Sequence, residues 1–173
     1  MRQYSIDARN IKNPIYPCPI QMGGKNANGQ MLSIGNYYLS LDGKPFFGIC
    51  GEAHFSRINR ELWEDEIIKM KAGGLNMIAT YIFWIHHEEI EGTFDFSGNK
   101  DLRLFLELCK KNHMYVILRI GPFSHGECRN GGFPDWIYGQ PFDIRCDDPS
   151  YLYYTRRFYE QIYQQAKGLL FKD

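Results

Sequence analysis

Charge of one sign is the first thing missing from this chain: lysine plus arginine total 20 and aspartate plus glutamate total 20. With no basic excess and no basic tract there is nothing to draw a polyanion, so nucleic acid is not an expected partner. No apolar run approaches the ~20 residues of a membrane span, and a membrane is not expected either. Met1 to Asn10 is polar and charged, without the apolar centre of a signal peptide, which predicts an unexported, cytoplasmic protein if Met1 is the native start. The five cysteines, Cys18, Cys50, Cys109, Cys128 and Cys146, are odd in number and never in Cys-x-x-Cys spacing. That argues against a disulfide framework and a zinc knuckle, and for free thiols in a reducing compartment. Internal repeats and low-complexity stretches are absent, and the 44% apolar content is that of a folded chain. One domain, or part of one, is expected.

What is present is concentrated between Arg119 and Trp136, where Arg-Ile-Gly-Pro-Phe-Ser-His-Gly-Glu-Cys-Arg-Asn-Gly-Gly-Phe-Pro-Asp-Trp crowds an arginine, a histidine, a carboxylate and several aromatics into a kinked loop. A pyranose has hydroxyls that take charged hydrogen-bonding partners and an apolar ring face that takes a flat aromatic surface, and this loop offers both.

The first forty or so residues read as a β-rich appendage, residues 1–44, with a turn at Asn28-Gly29 and a hairpin in which Asp42-Gly43 joins Tyr37–Leu41 to Pro45–Cys50. Beyond it the pattern alternates. Short, mostly apolar runs at Phe46–Cys50, Leu75–Tyr81 and Tyr115–Leu118 read as strands of a parallel sheet. Helices follow each: one capped by Asn59 and stopped by Gly73-Gly74, with Trp63, Ile67 and Met70 on one face; one from about Asp101 to Lys111, with Leu102, Phe105, Leu106 and Cys109 aligned; and one opening at Asp148-Pro149, with Tyr151, Tyr154, Phe158, Ile162 and Ala166 aligned. The loops after the strands are long and rich in polar and aromatic residues, while the returns from helix to strand are short. That asymmetry marks an α/β fold of the TIM (β/α)₈ type, whose sites are assembled at the C-terminal ends of the strands. A closed barrel takes about 250 residues, and residues 45–173 supply about half of that. Three to four βα units alone leave a bare sheet edge and face, which predicts a catalytic domain truncated at Asp173.

The segments Ala53-His54-Phe55-Ser56-Arg57 with Trp63, Lys71-Ala72-Gly73-Gly74-Leu75-Asn76, Thr80-Tyr81-Ile82-Phe83-Trp84 with His87-Glu88 and Gly92, Phe94-Asp95-Phe96-Ser97-Gly98, Leu118-Arg119-Ile120-Gly121-Pro122-Phe123, Glu127, and Gly131-Gly132-Phe133-Pro134-Asp135-Trp136 occur in order. In these the chain, from about Gly35 to Asp173, resembles the N-terminal part of the family 35 glycoside hydrolases, the β-galactosidase family. The resemblance implies a retaining exo-glycosidase on a (β/α)₈ barrel that uses no cofactor and no catalytic metal. It also implies that both catalytic glutamates, at the ends of the fourth and seventh strands, lie beyond Asp173, so that this stretch alone is inactive. Carbohydrate is the expected partner; an oligomeric state is not legible.

Residue by residue, the resemblance assigns Tyr81 and Glu127 to hydroxyls of a terminal galactose. From pattern alone Tyr81 is either a core aromatic or a strand-end residue facing the cavity, and Glu127 is a pocket carboxylate, a surface ion pair with Arg129, or a general acid/base. His54 and Trp84 are further candidates for touching the sugar, each with a structural alternative, the hydrogen-bonding of strand ends for His54 and packing for Trp84. Trp136 has the same alternative. Arg57 and Arg119, each just past a strand, are expected to orient carboxylates by bidentate pairing. His87 and Glu88 are expected to brace the barrel top, because adjacent side chains in His86-His87-Glu88-Glu89 diverge too far for a metal site. The chain departs from the family at Glu52, Ile85, Glu89 and Gly126-Glu127-Cys128, all on the substrate side, which bears on the sugar taken. Two alternatives stand beside β-galactose hydrolysis: a β-glycosidase of other specificity, such as a β-glucosaminidase, and a carbohydrate-binding protein that has lost its chemistry.

Overall fold

The computed structural model describes residues 3–5, 14–19 and 22–173. Most of Met1 to Asn10, read above for a signal peptide, lies outside the described residues. Two compact units divide between Phe47 and Gly48, three residues past the boundary expected from sequence.

The first unit is a four-stranded antiparallel meander, larger than the single hairpin expected: β1 (Gly23–Lys25), β2 (Met31–Ile34), β3 (Leu39–Leu41) and β4 (Lys44–Phe46), in that order. Asp42 and Gly43 both take positive φ, 52° and 73°, as a two-residue hairpin turn between twisted strands requires. The Asp42 carboxylate also accepts a bond from the Met31 amide at 2.8 Å. Pro45 is tolerated because β4 is an edge strand. The run Phe46–Cys50, expected as one strand, is therefore divided: Phe46 ends β4, and the next strand starts at Cys50. Its apolar character came from residues at the margins of two sheets.

The second unit is a parallel three-stranded sheet in the order β5 (Cys50–Glu52), β6 (Met77–Tyr81), β7 (Tyr115–Arg119). The connections carry α1 (Trp63–Ala72), the single-turn α2 (Trp84–His87) and α3 (Leu102–Lys111), and α4 (Pro149–Ala166) follows β7. Asn59 does not cap α1 with its side chain; a 3-10 turn, Arg60–Leu62, intervenes and supplies the first backbone bond, Leu62 to the Asn59 carbonyl at 2.9 Å. Asp101 does cap α3, accepting from the Leu104 amide at 2.9 Å, and Asp148 caps α4 through the amides of Ser150 and Tyr151 ahead of Pro149 at the first turn. On α4 the buried stripe is Tyr151, Thr155, Phe158, Ile162 and Ala166; Tyr154 lies beside it and turns its hydroxyl to Glu91.

The period of two along each strand separates two unlike sheet faces. A Cβ on Gly51 would lie 2.1 Å from Leu75 and 2.7 Å from Met70 at the end of α1, so Gly51 faces the helices and its neighbours Cys50 and Glu52 face away. Ile78 and Thr80 of β6 are fully buried on the helical side, and Val116 and Leu118 of β7 pack there. On the other face Tyr115 and Ile117 stay 38% and 44% exposed. That side carries an apolar surface open to solvent, although parallel sheets are ordinarily covered on both faces.

The core under the covered face is aromatic. Phe55 stacks on Phe105 and meets Trp63 edge-on, and the Trp63 indole N–H donates to the carbonyls of Phe55 and Ile58. Phe55 is 0% exposed at the exit of β5, so its loss would leave a cavity. Phe55→Ala is expected to destabilise the intact protein by about 3 to 5 kcal/mol, read from urea denaturation midpoints.

Candidate functional site

Strand direction brings Glu52, Tyr81 and Arg119 together as one layer at the C-terminal ends of β5, β6 and β7, all on the uncovered face. Tyr81 pairs in register with Arg119, and Glu52 with Ala79. Because Ala79 presents only a methyl group, Arg119 reaches across β6 to Glu52, Nη1 to Oε1 at 2.7 Å. The same guanidinium lies 3.7 Å above the Tyr81 ring and donates to the Tyr81 hydroxyl. Arg119 thus meets a carboxylate through one Nη and a phenol through the other, where a bidentate pairing with a carboxylate was expected. Tyr81 is only 4% exposed despite its open face, because His54, Phe83 and Arg119 close around it.

His54 joins this layer from the loop after β5. Its Nδ1 accepts from the Tyr81 amide at 3.3 Å, which puts the imidazole proton on Nε2, 3.3 Å from Glu52 Oε1. Burial lowers the His54 pKa, Glu52 opposes that shift, and Arg57 and Arg119 add to it. A neutral imidazole tied to backbone and to Glu52 is the result.

Glu127 sits at the same end of the sheet. A Cβ on the preceding Gly126 would be 2.8 Å from the Phe83 ring and 3.2 Å from Tyr81, so the loop lies flat against both rings. Arg57 stacks 4.5 Å over Phe83 and donates to the Glu127 carbonyl at 3.4 Å. It therefore holds a backbone where a carboxylate partner was expected. Glu127 is exposed and lines a cleft of about 640 Å³ together with Arg57, Ile85, Glu89 and Cys128. Tyr81 does not line that cleft. The ion pair considered for Glu127 goes elsewhere: Arg129 bonds Asp135 at 2.6 Å.

Trp84 is a correction. It is 0% exposed and stacks on Phe158 of α4 with ring centroids 4.9 Å apart and planes within 4°, so no face is left for a sugar. Its indole N–H donates at 2.6 Å to Glu88, which is also fully buried. Glu88 further accepts from the Gly92 amide and pairs with Arg157, while its carbonyl accepts from the Trp136 indole at 2.8 Å. Trp136 is likewise an anchor of the loop. Arg157 went unnoticed in the sequence; the only signal for it is that a carboxylate among aromatics needs a cation.

The four residues from His86 to Glu89 turn to four separate partners: Ser56, the Asp95 carbonyl, the Trp84–Arg157 pair, and Lys100. His87 is sandwiched between Phe96 and Phe55, and burial, opposed by the Asp95 carbonyl, lowers its pKa to about 4. Burial also pushes the Cys109 thiol up to about 12, which removes it as a nucleophile.

The profile of glycosyl hydrolases family 35 matches residues 38–173. The chain belongs to that family. It is 38% identical over 130 residues to a β-galactosidase of Xanthomonas manihotis, covering 75% of this chain and 22% of that protein. β-Galactosidase 11 of Arabidopsis thaliana is 41% identical over 130 residues, 75% of this chain and 15% of that one. An exo-β-D-glucosaminidase of Pyrococcus horikoshii is 36% identical over 156 residues, 78% and 20% of the two chains. The chain thus spans about a fifth of the length of these relatives. Among solved structures, an exo-β-1,4-mannosidase from Opitutaceae bacterium strain TAV5 superimposes with a TM-score of 0.56 at 16% identity, over 86% of this chain and 24% of that one. That likeness concerns the fold, a partial α/β barrel. Among the described residues no helix is long and apolar enough to cross a membrane.

Two outcomes follow from the buried titratable groups. Arg157→Leu leaves the Glu88 carboxylate buried without its cation and is expected to cost about 3 to 5 kcal/mol of stability, measurable by chemical denaturation. For His87 the folded pKa of about 4 lies below the ordinary 6.5, so its contribution is complete above pH 6.5 and is lost as the pH falls towards 4. The loss is on the order of 3 kcal/mol, and stability profiles of His87→Phe should lack that component between pH 6.5 and 4.

Proposed function

We propose that this chain is the N-terminal part of the catalytic barrel of a retaining exo-β-glycosidase that removes terminal β-linked galactose from oligosaccharides or glycoconjugates. Family membership across residues 38–173 carries this reading. The uncovered inner face of the β5–β7 sheet supports it, since further βα units would close over that surface and complete the barrel. The catalytic glutamates are expected in those units, and residues 1–173 alone are expected to be inactive. In the double displacement one carboxylate attacks the anomeric carbon while a second protonates the departing oxygen, and two such groups ~5 Å apart allow a covalent glycosyl-enzyme that water then releases.

Within this scheme the present chain supplies recognition. Tyr81 and Glu127 are assigned to hydroxyls of the terminal sugar, His54 and Arg119 hold Tyr81, and Arg57 holds the Glu127 backbone. A second reading keeps the fold and changes the sugar, and the identity with the Pyrococcus horikoshii exo-β-D-glucosaminidase favours it. Chromogenic glycosides offered to the full-length polypeptide decide between them. Hydrolysis of a β-galactoside with first release of the β-anomer, seen by proton NMR, is the expected result. Cleavage of a glucosaminide alone would select the second reading, and no hydrolysis of any glycoside would leave a binding protein. Glu127→Ala should lower kcat/KM at least about tenfold with little change in melting temperature, since the side chain is exposed.

A further inference from the structure

We infer that Glu52 is a specificity-determining residue that contacts the substrate, accepting a hydrogen bond from one ring hydroxyl of the terminal sugar. This rests on the glycosidase reading above and deepens it.

Three observations carry it. The first is direction. Gly51 faces α1, so the alternation along β5 turns Glu52 to the inner face of the sheet, at its C-terminal end. The second is fixation without saturation. Arg119 Nη1 at 2.7 Å and His54 Nε2 at 3.3 Å both fall on Oε1, and Oε2 has no partner among the described residues. The Glu52 side chain remains 48% exposed, while Tyr81 beside it is nearly closed off. A carboxylate oxygen held in place by its twin, yet unsatisfied, is a ready acceptor for a hydroxyl.

The third is the neighbour. Arg119 spends one Nη on Glu52 and the other on Tyr81, and its side chain is 36% exposed. A fixed acceptor beside a fixed donor matches a vicinal diol, in which one hydroxyl donates and the next accepts. Two structural elements tie this pair: the methyl of Ala79 leaves the passage through which Arg119 crosses β6, and the His54 tautomer is set by the Tyr81 amide. The larger core cluster lies on the opposite face of the sheet, and on this side only the small cluster of Tyr81, Phe83 and Ile85 is buried. The arrangement stores its polar groups where a ligand would meet them.

A cycle between protein and substrate tests the inference. Wild-type full-length polypeptide, Glu52→Ser and Glu52→Gln are assayed on the nitrophenyl β-galactoside and on its singly deoxygenated analogues, or on the corresponding set for whichever β-glycoside of the panel is cleaved. A site built to bond a hydroxyl discriminates strongly against its absence. In the wild type one deoxy analogue should lose at least about tenfold in kcat/KM. That penalty should shrink to less than about threefold in Glu52→Ser while the penalties at other positions persist, and Glu52→Gln, which retains a neutral acceptor, should fall between. Penalties that run in parallel in all three proteins would overturn the inference and assign Glu52 to scaffolding, with the glycosidase reading intact. A wild type that cleaves no glycoside would overturn both. Should Glu52→Ser melt far below wild type, the isosteric Glu52→Gln carries the test: a penalty at that one position smaller than in the wild type supports the inference, and an unchanged one overturns it.

Discussion

The buried carboxylate of Glu88 is the constraint on which the second unit depends. A charge taken out of water must find compensating partners, and Glu88 finds them on two separate pieces of chain: Trp84 and Gly92 in the loop after β6, and Arg157 on α4. Its carbonyl then takes the Trp136 indole from the loop after β7. Two long loops and a helix are thereby fastened at one point. The Trp84–Phe158 stack, formed beside it, adds apolar burial to the same joint. Of the residues that face the cleft, Ile85, Glu89, Glu127 and Cys128 lie on those two loops and Arg57 on the loop after β5, so this joint helps to set the positions of most of them.

The sheet contributes a different kind of order. Alternation along β5, β6 and β7 sends Gly51, Ile78, Thr80, Val116 and Leu118 to the helices, and Glu52, Tyr81 and Arg119 to the other face. The first set makes a core; the second makes a polar layer in which the guanidinium of Arg119 serves Glu52 and Tyr81 at once. Packing and chemistry are separated by a single residue step, so a slip of one position in any strand would exchange them.

Much of this was legible in the chain. Asp101 and Asp148 announced helix starts that the structure caps as expected, and the stripe Leu102, Phe105, Leu106, Cys109 gave the buried face of α3. Short apolar runs gave β6 and β7 because strands under helices need apolar side chains. The run Phe46–Cys50 misled for the same reason: apolar residues mark burial, not membership of a given sheet, and Phe47 is in fact 81% exposed. Tertiary pairings were beyond sequence reasoning. Nothing local distinguishes Arg129, whose partner is Asp135, from Arg157, whose partner is 69 residues away, and Trp84 carries the same composition signal whether it meets a sugar or Phe158.

The loop after β7 shows how a glycine-rich segment can be held closely by its surroundings. Glu127 and Asn130 take left-handed φ of 51° and 57°, a conformation that costs a non-glycine residue on the order of 1 kcal/mol. Such strain persists only where the surroundings impose it. Gly126 is pressed against the rings of Phe83 and Tyr81, where any Cβ would collide, and Gly131 is pressed likewise against Phe123. Arg57 clamps the Glu127 carbonyl from one side, and the Ser124 amide bonds the Gly131 carbonyl at 2.7 Å from another. The glycines are there for close approach to aromatic rings, and that approach removes the freedom they would otherwise bring. The Glu127 carboxylate is left exposed on a backbone with little room to move, which is the condition for recognising a ligand without a large ordering cost.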